Sequence, residues 1–310
     1  MSPLVRIGAA ALAIGAGFSS GTALGRVVGP VDLPGGAETG DHAGHDMAAM
    51  PGGGHHSLEM SGPGGLLVSQ SGYTLQPQTT VLSGAADEQF QFQILGADGA
   101  AVHDFEAHYE RLLHLVVVSR DLATYFHVHP VLGPDGTWTV ALPALAPGAY
   151  HAFASFVVAD GPSLTLSVGL LVPGDTAVNP LPEPGPFAMV DGYVVALTGA
   201  PLAATPTGVT FTVQKDGIDV TDLVPYLGSA GHLVAIRAGD LAYTHVHPAA
   251  DNAGPTVPVL LEVPSPGDYR LFFDFAHGGA VHTAAFTIHV PATTLGTASP
   301  DPSESSGSPP

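Results

Sequence analysis

Three histidines recur at one spacing in two places along the chain. His114, His127 and His129 lie in "HLVVVSRDLATYFHVHP", His114 to Pro130, and His232, His245 and His247 lie in "HLVAIRAGDLAYTHVHP", His232 to Pro248. In both stretches twelve residues separate the first histidine from a His-x-His-Pro ending. Imidazole nitrogens ligate zinc, copper and other transition metals, and three of them can hold one ion. The competing chemistry is a buried polar network, since a core histidine is satisfied by backbone groups as readily as by an ion. Packing three imidazoles without a metal leaves nitrogens that need partners or cost desolvation. Writing the trio twice favours metal.

The elements that must position these side chains are strands. His114–Val118 and Tyr125–His129 read as a hairpin, with "SRDLAT" as its connection. Pairing about the centre puts His114 opposite His129 and Val116 opposite His127. In the second copy it puts His232 opposite His247 and Val234 opposite His245. Side chains alternate along a strand, so residues 114, 116, 118, 125, 127 and 129 share one face. Paired Cβ atoms about 4.5–5.5 Å apart allow the rings to converge on an ion at roughly 2.0–2.1 Å per bond. Pro130 and Pro248 end the strands beside the pair. Arg237 falls on the face opposite His232, Val234 and Ile236, which predicts that the histidine face looks inward. Protons should compete with the metal around the ordinary imidazole pKa of about 6.5.

The second copy carries more histidine. "FDFAHGGAVHTAAF" reads as a hairpin turning at Gly278-Gly279, with His282 opposite Phe275 and His277 on the same face. His232, His247, His277 and His282 are expected to gather at one end of one sheet, with His245 on the same face as His232 and His247. The first copy offers His103 and His108 in the preceding loop instead.

A third set precedes both. "DHAGHDMAAMPGGGHHSLEM" holds His42, His45, Met47, Met50, His55, His56 and Met60. Thioether with imidazole is the donor mixture that copper uses, thioether for Cu(I) and imidazole for both oxidation states. Three of the chain's five methionines sit here. The cofactor expected is therefore copper, with zinc satisfied equally by imidazoles alone.

The two β segments are copies at an offset of 118 positions from Asp98/Asp216 to Pro130/Pro248. Short alternating strands, frequent turn signals and a repeat near a hundred residues indicate an all-β chain of two tandem immunoglobulin-like β-sandwich domains, with a small barrel as the alternative. The Pro-Gly-x-Tyr turns at Tyr150 and Tyr269 suit the tyrosine at the start of that fold's sixth strand. The boundaries expected are 1–29 for a signal peptide or signal anchor and 30–65 for a disordered His/Met-rich segment. They continue with 66–173 for the first domain, 174–186 for a Pro-rich linker, 187–291 for the second domain and 292–310 for a disordered tail. Arg6 and Arg26 bracket a weakly apolar stretch that would serve export or anchoring. The remainder is then extracytoplasmic, touching the membrane only through that stretch.

A net charge of −20 with only seven Lys plus Arg excludes a nucleic-acid footprint. Cysteine is absent, which removes disulfides and thiolate sites.

Residues 66–291 resemble an exported or membrane-anchored bacterial family of tandem β domains. The resemblance rests on His114–Pro130, on Gly231–Pro248, and on "GDYRLF" followed by His277-Gly-Gly-Ala-Val-His282-Thr-Ala-Ala-Phe286. It implies this architecture and, through the labels its members carry, heavy-metal or copper binding. The function expected is buffering a metal or handing it to a membrane metal transporter or another exported protein. Two other readings stay open: a cupin-like histidine-ligated metalloenzyme, and a surface sandwich module that binds protein without metal. No nucleophile-and-base set stands out to favour catalysis.

Overall fold

The computed structural model describes residues 64–246 and 254–292. The export segment, the His/Met-rich segment, His247 and the C-terminal tail lie outside the described residues, and of His245 only the backbone is described. Among the described residues there is no helix, and hence none long and apolar enough to cross a membrane.

The first copy contains β1 (Ser69–Gln70), β2 (Tyr73–Pro77), β3 (Glu88–Leu95), β4 (Phe105–Glu106), β5 (Leu113–Ser119), β6 (Tyr125–Val128), β7 (Val131–Leu132), β8 (Thr137–Leu142), β9 (Gly148–Val158) and β10 (Ser163–Val172). The second contains β11 (Phe187–Val190), β12 (Tyr193–Thr198), β13 (Thr207–Lys215), β14 (Ile218–Asp219), β15 (His232–Arg237), β16 (Tyr243–Val246), β17 (Thr256–Leu261), β18 (Gly267–His277) and β19 (Ala280–Val290). Each copy is a sandwich. In the first, the sheet β1-β2-β3-β8-β7 packs on β10-β9-β5-β6, with β4 added to β9. In the second, β11-β12-β13-β14, with β17 on β13, packs on β16-β15-β18-β19.

Period-two patterning builds both cores. In "EQFQFQIL" the alternate residues Phe90, Phe92 and Ile94 are buried, and they meet Leu113, Leu115 and Val117 from the facing sheet. In the second copy Val209, Phe211 and Val213 meet Leu233, Ala235, Leu271 and Phe273. Both tyrosine corners are present. Tyr150 donates its hydroxyl to the Ala146 carbonyl at 2.8 Å, and Tyr269 donates to that of Ser265 at 2.8 Å. This bond pins the start of β9 and of β18, the strands beside β5 and β15.

β5 is buried at every position, which one sandwich core cannot explain, because alternate residues point away from it. Val116 and Val118 instead enter a separate cluster with Val234, Ile236, Leu241, Tyr243, Phe153 and Phe272. The histidine-bearing sheets of the two sandwiches therefore pack on each other. The contact is reciprocal: Tyr125 stacks on Phe272 with centroids 4.1 Å apart, and Tyr243 stacks on Phe153 at 4.4 Å. Tyr125 and Tyr243 are counterparts, as are Phe153 and Phe272, so the interface has the self-complementary pattern of a two-fold dimer built within one chain.

This corrects the orientation expected from Arg237. The face of β15 that carries Val234 and Ile236 turns out of its own core, which Leu233 and Ala235 enter. It is buried because the other sandwich covers it.

Candidate metal centre

The hairpin β5–β6 has the expected register, with Val116 opposite His127. Its counterpart β15–β16 pairs Val234 with His245. β5 supplies His114, β6 supplies His127, and His129 follows one residue beyond the end of β6.

The three rings converge. His114 Nδ1 lies 3.1 Å from His127 Nε2 and 3.3 Å from His129 Nε2. All three candidate ligand atoms fall within 4.8 Å of one another. Four ligands at roughly 2.0–2.1 Å in a tetrahedron stand about 3.3 Å apart, which is the separation found here.

The outer nitrogens decide what the inner ones can be. His114 Nε2 is 3.0 Å from the His108 carbonyl oxygen, which can only accept, so Nε2 carries the hydrogen and Nδ1 the lone pair. His127 Nδ1 is 3.0 Å from Asp274 Oδ2, so Nδ1–H donates to the carboxylate, and in the neutral ring Nε2 carries the lone pair. With both rings neutral, the facing nitrogens His114 Nδ1 and His127 Nε2 would share a cation, and with His129 the trio could hold one.

Burial keeps His114 and His129 neutral. His114 is 2% exposed. Its pKa is lowered to about 3, first by burial and then by the neighbouring histidines, against the opposing bond to the His108 carbonyl. His129 is lowered to about 2 by burial and by His127 and His114. The competition with protons expected near the ordinary imidazole pKa is therefore displaced downward at both residues.

Across the interface stands His232, fully buried, with ring centroids 5.9 Å from His114 and 5.6 Å from His127. Its Nε2 bonds the Tyr226 carbonyl at 2.9 Å, repeating the His114–His108 anchor at the counterpart position. Among the described residues it does not join the ligand group of His114, His127 and His129. The anchor histidines of both copies thus face one another across the interface.

His277 and His282 are placed elsewhere. The hairpin turns at Gly278-Gly279, both at positive φ, and His282 pairs with Phe275 as expected. Phe275 belongs to the second core, whereas His232 pairs with Asp274 on the other face of β18. The single gathering expected for His232, His277 and His282 is not formed, because the alternation along β18 divides them. His277 Nδ1 bonds the Tyr193 hydroxyl at 2.7 Å and its Nε2 lies 3.2 Å from Asp222. His282 bonds Asp191 at 2.7 Å. In the first copy, His108 serves the centre through its carbonyl, while His103 packs against Gly136.

Sequence reasoning missed Asp274 and Tyr125. Asp274 interrupts the apolar run "RLFFDFA", and an acidic residue inside a strand that reads as buried was the available signal. Tyr125 donates its hydroxyl to Asp274 Oδ2 at 3.2 Å.

Residues 68–173 and 188–292 each match DUF8832, described as a domain of unknown function. The chain belongs to the DUF8832 family. Two family domains occupy the two sandwiches, and the description assigns them no metal, so a metal reading rests on the residues themselves. No curated protein matches the chain. Several solved structures are similar in outline. A tetra-tandem repeat from the extending region of a large adhesion protein is 13% identical over 71% of this chain and 49% of its own, with a TM-score of 0.23. This chain thus spans about half of that structure. A two-domain fibronectin type-III segment of chicken tenascin is 11% identical over 70% of this chain and 97% of its own, TM-score 0.20. The Escherichia coli adhesin FdeC is 12% identical over 72% of this chain and 65% of its own, TM-score 0.23. Similarity at this level says nothing about ligands, and the sandwich assignment rests on strand order and the tyrosine corners.

Proposed function

We propose that this DUF8832 chain is an extracytoplasmic metal-binding protein that buffers a metal ion or hands it on, with copper as the metal. The observation that carries the reading is the convergence of His114 Nδ1, His127 Nε2 and His129 Nε2, the first two with their other nitrogen committed as a donor. Three protein ligands leave a fourth position, through which an ion enters, leaves or meets a partner's ligand. An all-nitrogen trio suits Cu(II), Cu(I) and Zn(II). The affinity order and the methionines between Asp41 and Met60 favour copper. The Arg6-led apolar stretch supports export, and an exported carrier would hand its ion to a membrane metal transporter or another exported protein.

Titration of the full-length chain with Cu(I), Cu(II) and Zn(II) tests this. We expect one tight equivalent that raises the melting temperature by mass action, and its loss on the double change His114→Ala with His127→Ala. Deleting Asp41–Met60 should remove further Cu(I) equivalents and leave the metal-free melting temperature unchanged. A melting temperature indifferent to all three ions would refute the folded site.

A further inference from the structure

Resting on that metal reading, we propose that Asp274 of the second sandwich is the positioning residue of the metal centre in the first. Its carboxylate fixes the ring and tautomer of His127, so the centre is complete only when the two sandwiches are docked.

Asp274 is 2% exposed, and β18 aims it across the interface. Oδ2 accepts from His127 Nδ1 at 3.0 Å and from the Tyr125 hydroxyl at 3.2 Å, both in the first sandwich. Oδ1 accepts from Thr283 Oγ1 at 2.6 Å within its own. A carboxylate this buried is costly without opposite charge. Among the described residues it faces His127, Tyr125 and Thr283, with no Lys or Arg within ion-pair distance. A metal ion on His127 Nε2 would supply that charge one ring away, the carboxylate–histidine–metal arrangement in which the outer partner sets tautomer, orientation and basicity.

The duplication provides an internal comparison. The position equivalent to Asp274 is Ser155, which pairs with His114 as Asp274 pairs with His232. Ser155 bonds Thr165 at 2.9 Å, as Asp274 bonds Thr283. The threonine is kept in both copies and the carboxylate is present in one. That carboxylate faces His127 of the first trio, so its charge serves that centre and is not needed to build the strand pair.

The test uses the full-length chain with Zn(II) and Cu(II) as probes. Asp274→Asn keeps size and an acceptor while removing the charge. Tyr125→Phe removes a bond to the same oxygen without touching His127. We expect Asp274→Asn to weaken binding 10- to 100-fold and Tyr125→Phe to stay within about threefold, because it leaves the tautomer-setting contact in place. In metal-free protein, nitrogen-15 shifts of His127 should show the hydrogen on Nδ1, and less of it there in Asp274→Asn. Equal affinity in Asp274→Asn and the unsubstituted chain would overturn the proposal, as would an equal loss in Tyr125→Phe. Failure of the unsubstituted chain to bind would instead overturn the metal reading, while the metal-free tautomer still reports on Asp274.

Discussion

At the residue scale, the centre places several imidazoles where their charged forms are disfavoured. Burial leads the depression of three of these rings: His114 to about 3, His129 to about 2 and His232 to about 4. In the unfolded chain each titrates near 6.5. As pH falls through 6.5 the unfolded state takes up protons that the folded state refuses. Stability from these rings is therefore fully present above that value, and it is lost as pH drops toward the folded pKa values. Between pH 7 and pH 5 the loss should be on the order of 2 kcal/mol per ring, read by urea unfolding of metal-free protein at each pH. His114→Gln should flatten the slope, and a pH-independent midpoint would contradict the burial argument. The sequence disclosed the trio itself, because spacing and strand parity alone bring its members to one face. It could not disclose Asp274 as their partner, since that contact joins residues 147 positions apart in different domains.

At the element scale, registers were legible and the partner that buries the histidine face was not. Val116 opposite His127, Val234 opposite His245 and the Gly278-Gly279 hairpin followed from local pattern and turn chemistry. The cover over the histidine face did not, because a strand's own residues cannot tell whether its second face meets solvent or another domain. "LHLVVVS" carried the hint, being apolar at both parities. One element is more constrained than its type suggests. A Cβ on Gly231 would lie 2.7 Å from the Asp274 carbonyl oxygen and 2.7 Å from the Phe273 ring. Gly231→Ala must push β15 away from β18 beside His232, and should cost about 1–3 kcal/mol. Gly208 on β13 has nothing within 4 Å of such an atom, so Gly208→Ala should change stability by under about 1 kcal/mol. Thermal unfolding of both variants checks this, and equal effects would remove the steric explanation.

At the scale of the whole molecule, duplication turned one domain into two halves of an interface. Phe272 and Phe273 are neighbours on β18 with opposite duties. Phe273 stacks on Phe211 in the second core, while Phe272 stacks on Tyr125 of the first sandwich. Truncating either should cost about 3–5 kcal/mol, but in different places. Phe273→Ala should lower the melting of the second sandwich and leave the docked shape of the native state unchanged. Phe272→Ala should loosen the docking of the sandwiches, increase the radius of gyration in solution scattering and split unfolding into two calorimetric transitions. Loosening also withdraws Asp274 from His127, so Phe272→Ala should bind metal more weakly, although it touches no ligand. Saturating metal should then draw the two transitions back together, because the bound state favours the docked arrangement. An unchanged scattering profile with a single transition in Phe272→Ala would mean that the sandwiches hold together without this stack, and that metal affinity is set within the first one alone.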